Sequence, residues 1–259
     1  MAAERPGGGG SPQRTLELLW GAAAPSTRGP RPSLTLSRII DTAMAVADAG
    51  GLDAVSMRRV ADELGVTTMS LYRYVPSKDA LLELMLDAGA GVPPEALTSP
   101  VPWREGLERW ARAIKAVYRQ RPWLLHVPIT GPPMGPNSLA WMESALAPLE
   151  GSGLTPDDML YVLLLLTVYV RGEAQLGFGI AESEDRTGVS VQERDEVYAQ
   201  MMRALVSSGR FPTLARIAAS GVFELAEEDP DAEFEFGLSR ILDGVEVLVD
   251  ARRSEGEPT

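Results

Sequence analysis

A small residue, Ala61, stands four positions before a glycine, Gly65, inside a helical repeat of apolar side chains, and this spacing constrains the fold more than any other feature. Ser56 is suited to cap a helix whose inner face is Val60, Ala61 and Leu64. Gly65 can take the left-handed conformation that ends that helix in a tight turn. Thr67 can then cap a short second helix that runs to Tyr74. The two helices must cross steeply, with Ala61 permitting close approach and Val60, Leu64, Val66 and Leu71 filling the space between them.

The flanks read the same way. Leu36, Ile39, Ile40, Ala43, Val46 and Ala47 recur at helical spacing until Gly50 and Gly51 stop them. After Pro76, Ser77 caps a fourth helix carrying Leu81, Leu82, Met85 and Leu86. A Pro- and Gly-containing stretch, residues 89–102, separates this head from a body in which helical patterns cover about 103–120, 137–149, 155–180, 191–207, 213–220 and 232–250. Neither a strand-like alternation of useful length nor an internal repeat occurs, so the expected fold class is all-α. The domains expected are a flexible arm over 1–32, a head over 33–88, a body over 103–250 and a disordered tail over 251–259.

Composition removes several functions. Hydrophobic residues make up 45% of the 259, which excludes a wholly disordered chain. With no Cys and a single His, His126, the chain lacks the ligand set of a structural zinc site and any thiol nucleophile. A Ser-His-Asp triad would have to use His126, and there is no G-x-S-x-G or phosphate-loop motif. No enzyme activity, cofactor or metal is expected. The longest apolar run, residues 159–170, closes against Asp157, Asp158 and Arg171, short of the roughly 20 residues a membrane span needs. The first residues are Gly-rich without an apolar core, so no secretory signal is read. Absence of Cys is compatible with the cytosol, and a cytoplasmic location is expected.

The net charge of −12 hides a division. Residues 1–78 hold nine basic and seven acidic side chains, a balance of +2, whereas residues 79–259 hold 15 and 29, a balance of −14. Such a division would orient the head toward phosphates, although chance clustering on solvated faces gives the same counts. The short helix leaves Thr67, Thr68, Met69, Ser70, Tyr72 and Arg73 projecting outward. These side chains hydrogen-bond, stack or carry charge, and a helix of this size fits the major groove of double-stranded DNA. A hairpin used only for packing would not expose them together.

The run 64–81, Leu-Gly-Val-Thr-Thr-Met-Ser-Leu-Tyr-Arg-Tyr-Val-Pro-Ser-Lys-Asp-Ala-Leu, resembles the signature of the TetR family of one-component transcriptional repressors. The match covers residues 34–86, and the run 234–246, Phe-Glu-Phe-Gly-Leu-Ser-Arg-Ile-Leu-Asp-Gly-Val-Glu, is similar to the last helix of the tetracycline-repressor type. The resemblance implies a homodimer, a palindromic double-stranded operator, and release by a small hydrophobic, drug-like effector, commonly in control of efflux or antibiotic resistance. It implies that Arg58 reads a guanine, a contact worth about 1–3 kcal/mol of discrimination. It places Thr68, Met69 and Ser70 at the base-facing start of the recognition helix, Tyr72 and Tyr74 on bases or phosphates, and Lys78 on a phosphate. Tyr74 stands where the family more often has His, and Met69 where many members have a smaller residue, the alternative role for Met69 being contact with a thymine methyl. Ahead of the head, Arg28 and Arg31 on a Pro-stiffened segment either enter the minor groove or remain in a solvated tail.

On the body, the aromatic residues Trp103, Trp110, Tyr118, Trp123, Trp141, Tyr161, Tyr169 and Phe178 are mostly ordinary core. An effector pocket needs polar groups among apolar walls, and the candidates are Trp110, Trp123, His126, Trp141, Tyr169, Arg171, Gln175 and Phe178, with Glu173 beside them. His126 alone reads first as a structural histidine, and Arg171 and Glu173 equally fit a pair with each other or across a dimer contact. The stripe Leu238, Ile241, Leu242, Val245 and Leu248 is expected to form the dimer contact, the alternative being closure of the monomer core.

Overall fold

Every helix of the head proper begins on a side-chain hydroxyl. In the computed structural model, which describes residues 12–21, 34–129, 131–188, 190–206, 210–224 and 231–256, Thr35 starts α2 (Leu36–Gly50), Ser56 starts α3 (Met57–Leu64), Thr67 starts α4 (Thr68–Tyr72) and Ser77 starts α5 (Lys78–Ala90). Each hydroxyl oxygen accepts the backbone N–H three residues on, at 3.0–3.3 Å, an arrangement worth about 0.5–2 kcal/mol per helix. Gly65 lies at φ 68°, ψ 31°. Its N–H reaches the Asp62 carbonyl at 3.1 Å and the Val66 N–H reaches the Ala61 carbonyl at 3.0 Å, so carbonyls in the last turn of α3 are satisfied. Ile39, Ala43, Val55, Val60, Ala61, Leu71, Leu81 and Met85 close the head core.

Ahead of the head lies a helix that departs from the expected arm: α1 (Pro12–Leu19) packs on α5 and buries Thr15 and Leu18. Too short to be stable alone, it is held by the surface it covers.

The body continues with α6 (Trp103–Gln120), a 3-10 turn at Pro122–His126, α7 (Pro136–Leu146), α8 (Pro156–Thr187), α9 (Val191–Val206), α10 (Pro212–Ala219) and α11 (Ala232–Gly256). No strand occurs among the described residues. Leu107, Trp110, Trp141, Leu149, Leu166, Val170, Phe234, Leu238 and Leu242 form its core. At Gly237, α11 lies directly against the Tyr169 hydroxyl, where any Cβ would collide.

Two element ends differ from expectation. The last helix runs through Arg252 into the segment expected as a disordered tail, because Arg252 donates to both carboxylate oxygens of Asp158 (2.8 and 3.2 Å) and Arg253 donates to the Ser152 carbonyl (2.9 Å). Asp158 also accepts the Thr155 N–H while Thr155 Oγ1 accepts the Asp158 N–H, so α11 is fastened to the cap of α8. The helix α8 itself runs to Thr187, and its part Pro156–Gly179 is long and apolar enough to cross a membrane by length and composition, contrary to the sequence count. The count stopped at Arg171, but Arg171 and Glu173 make their bonds inward, and Leu176 beyond them is exposed.

Candidate nucleic-acid interface

The turn at Gly65 sets α4 behind α3 with its polar edge outward. The Arg58 side chain is 88% exposed and only loosely paired with Asp62 at 3.8 Å, whereas its neighbour Arg59 is held by Glu63 at 2.7 Å. Met69 is 73% exposed and Tyr72, Arg73 and Lys78 are also exposed, while Leu71 anchors α4 in the core. The expected edge therefore faces solvent, with Thr68 half-buried beside it. Thr67 and Ser70 are committed to each other: the hydroxyls lie 2.9 Å apart and Thr67 Oγ1 caps the helix. Tyr74 is half-buried against the head core, which suits covering its end. Arg28 and Arg31 lie outside the described residues.

The effector candidates do not line one cavity. Trp110 and Trp141 are buried core residues packed edge to face at 6.4 Å, with Trp110 Nε1 donating to the Trp141 carbonyl. Trp123 sits in the head core, not the body. Tyr169 stacks on Phe234 and donates to the Phe234 carbonyl at 2.8 Å, and burial pushes its pKa up. Arg171 donates to the carbonyls of Leu124, Leu125 and Val127, satisfying the end of the 3-10 turn rather than pairing with Glu173. Glu173 instead accepts from Lys115 at 2.9 Å, and its second carboxylate oxygen is sealed from water without a hydrogen bond. Exposed His126 meets the half-buried Phe178 ring edge at 5.6 Å, and Gln175 is exposed. An open cleft of about 550 Å³ lies elsewhere, on the head between α2 and α3, lined by residues such as Thr42, Ala49, Arg59 and Glu63.

The expected dimer stripe is also corrected. Leu238, Leu242 and Val245 are buried within one protomer, with Ile241 packed beside them and Leu248 half-buried, so the stripe closes the monomer core. Apolar side chains are instead exposed along one face of α8, at Leu160, Tyr161, Leu164, Leu165 and Val168, and on α11 at Phe236 and Val247.

Sequence reasoning did not single out the joint between head and body. Asp87 of α5 is buried and accepts from the Ser138 N–H and hydroxyl, both at 2.8 Å, so a head carboxylate caps the body helix α7. Trp123 Nε1 donates to Asp48 at 2.6 Å, and Arg121 donates to the Gly89 carbonyl at 2.9 Å. The available signal was Asp87 following an apolar helix run, since an acid on a buried face needs partners.

Comparison with known proteins agrees with this architecture. Residues 39–85 match the model of bacterial regulatory proteins of the tetR family, and residues 98–249 match the tetracyclin repressor-like C-terminal domain. The chain is 43% identical over 254 residues to the HTH-type transcriptional repressor DrrR1 of Streptomyces coeruleorubidus, covering 97% of this chain and 92% of that protein. Among solved structures, apo ActR from Streptomyces coelicolor superposes with a TM-score of 0.68 at 30% identity, covering 86% of this chain and 99% of ActR. ActR in complex with actinorhodin gives 0.65 at 31%, over 83% and 96%. These relatives are regulators and not enzymes, and with both halves of the fold matched in order the chain belongs to the TetR family of helix-turn-helix transcriptional repressors.

Proposed function

We propose that this repressor binds, as a homodimer, a palindromic double-stranded operator and is released by a hydrophobic, drug-like effector, controlling an efflux or antibiotic-resistance gene in the cytoplasm. The observation that carries this reading is the solvent-facing edge of α4 and its end, Met69, Tyr72 and Arg73, beside the exposed, loosely paired guanidinium of Arg58 on α3. Arg58 supplies discrimination at guanine, while Lys78 at the start of α5 and the arm residues Arg28 and Arg31 supply phosphate or minor-groove contacts.

The outward apolar face of α8 and α11 supports the dimer, since a row of exposed apolar side chains on neighbouring helices suits contact with a second copy. Two such protomers would set their α4 helices about 34–36 Å apart, one turn of DNA. A small molecule that binds better when the heads are spaced otherwise shifts the population off DNA. The solved complexes of ActR with actinorhodin and with (S)-DNPA support a small-molecule effector for this chain. His126 of the 3-10 turn, with Phe178 and Gln175 on α8 beside it, remain the candidates for contact with such a molecule.

Gel shift with the intergenic duplex upstream of the gene tests the reading. Binding to a pseudo-palindrome, reversed by actinorhodin or another planar aromatic compound, is expected. Sequence-independent binding alone would overturn it.

A further inference from the structure

Residues 134–138, which run from the loop before α7 into its first turn, join three parts of the chain. Met134 gives its carbonyl to Trp20 Nε1, just beyond α1, at 2.9 Å. Gly135 lies so close to the Asp87 carboxylate of α5 that no side chain fits there. Asn137 and Ser138 then direct their N–H groups at Asp87, at 3.4 and 2.8 Å, and the Asn137 side chain donates to the Asp87 carbonyl at 3.2 Å. The helix α1 completes the link, because its Leu18 is buried in the head core while its end is tied to the body loop.

We propose that α1 is a strap that fixes the angle between the DNA-binding head and the body, acting on the joint at Asp87 rather than on DNA. An eight-residue helix does not hold its shape unaided, so α1 is ordered only while α5 and the 134–138 loop keep this mutual position. Coupling of this kind is reciprocal: whatever swings α5 against α7 must break the Trp20 bond or lift Leu18, and whatever lifts α1 frees the swing. Charge argues against a direct phosphate contact. The one cation of α1, Arg14, is held by Glu17 at 2.8 Å.

The test uses the full chain, whose lack of cysteine lets two introduced thiols carry spin labels. Labels at Asp53→Cys on the head and Glu150→Cys on the body, in double-labelled protein diluted with unlabelled chain, report the angle within one protomer. Leu18→Asn should broaden a single narrow distance. Trp20→Phe, which keeps the ring and drops only the N–H, should broaden it less. Affinity for the upstream duplex should fall about tenfold in Leu18→Asn with the salt slope of wild type, because no phosphate contact is lost. An unchanged distance in Trp20→Phe together with wild-type affinity overturns the strap, and a reduced salt slope in Leu18→Asn overturns it in favour of a DNA contact. The distance measurement needs no operator, so it stands apart from the proposed function on which the affinity measurement rests.

Discussion

The indole N–H of Trp123, in the 3-10 turn that follows α6, donates to the Asp48 carboxylate of the head helix α2 at 2.6 Å, with its ring buried in the head core. Trp123 is thereby a plug from one domain into the other. It also belongs to the 3-10 turn whose carbonyls are held by Arg171 of α8. Head, turn and the long body helix thus form one chain of directed contacts.

Trp123→Phe removes the donor and leaves a gap beside Gly89, against which the indole ring packs. A charge-assisted hydrogen bond and part of an aromatic ring together are worth about 2–3 kcal/mol. Urea unfolding should register that loss, and a variant as stable as wild type would mean the plug contributes little.

The bond between Arg252 and Asp158 makes stability depend on acid. Hydrogen bonds from the Arg252 side chain first, then from Thr155, hold the Asp158 carboxyl at about 2, below the ordinary 3.8. The unfolded chain therefore takes up this proton at higher pH than the folded one. The contribution is complete above about pH 4 and is lost as pH falls toward 2. Lys115 and Arg112 lower Asp231 and Glu235 in the same direction. In Arg252→Met, unfolding curves should be weakened at neutral pH and flatter between pH 4 and 2. A slope equal to wild type would contradict the fastening of α8 to α11.

Gly65→Ala isolates backbone strain. Nothing lies within 4 Å of the added Cβ, so the cost is the left-handed conformation alone, about 1–2 kcal/mol. A lowered melting temperature with unchanged helicity is expected by circular dichroism, and no change would mean the turn relaxes freely.

The head was largely legible in the sequence because its signals are local. Hydroxyl caps at Ser56, Thr67 and Ser77 and the stop at Gly65 act within four residues, and the structure places each as its type requires. The body was less legible because its partners are remote. Arg171 was read as a ligand or dimer residue, yet it binds carbonyls more than forty positions away. The stripe at Leu238, Leu242 and Val245 has the periodicity of a dimer helix, but periodicity shows which face is apolar and not what covers it. The helix α1 was missed because eight residues between Pro and Gly carry little signal without the surface they dock on.

Val168→Asp, on the open face of α8, should give folded monomers by light scattering with native helicity. Leu242→Asp, fully buried in one protomer, should unfold the body instead. A dimeric Val168→Asp would place the contact elsewhere.

The central claim is that the α3–α4 edge reads a specific duplex, and fluorescence anisotropy of Arg58→Ala on operator and on scrambled DNA tests it most directly. Arg58 is exposed and loosely paired, so the variant should melt like wild type. Operator affinity should drop by at least about tenfold while binding to scrambled DNA changes little. An Arg58→Ala protein that still prefers its operator as strongly as wild type would contradict the account.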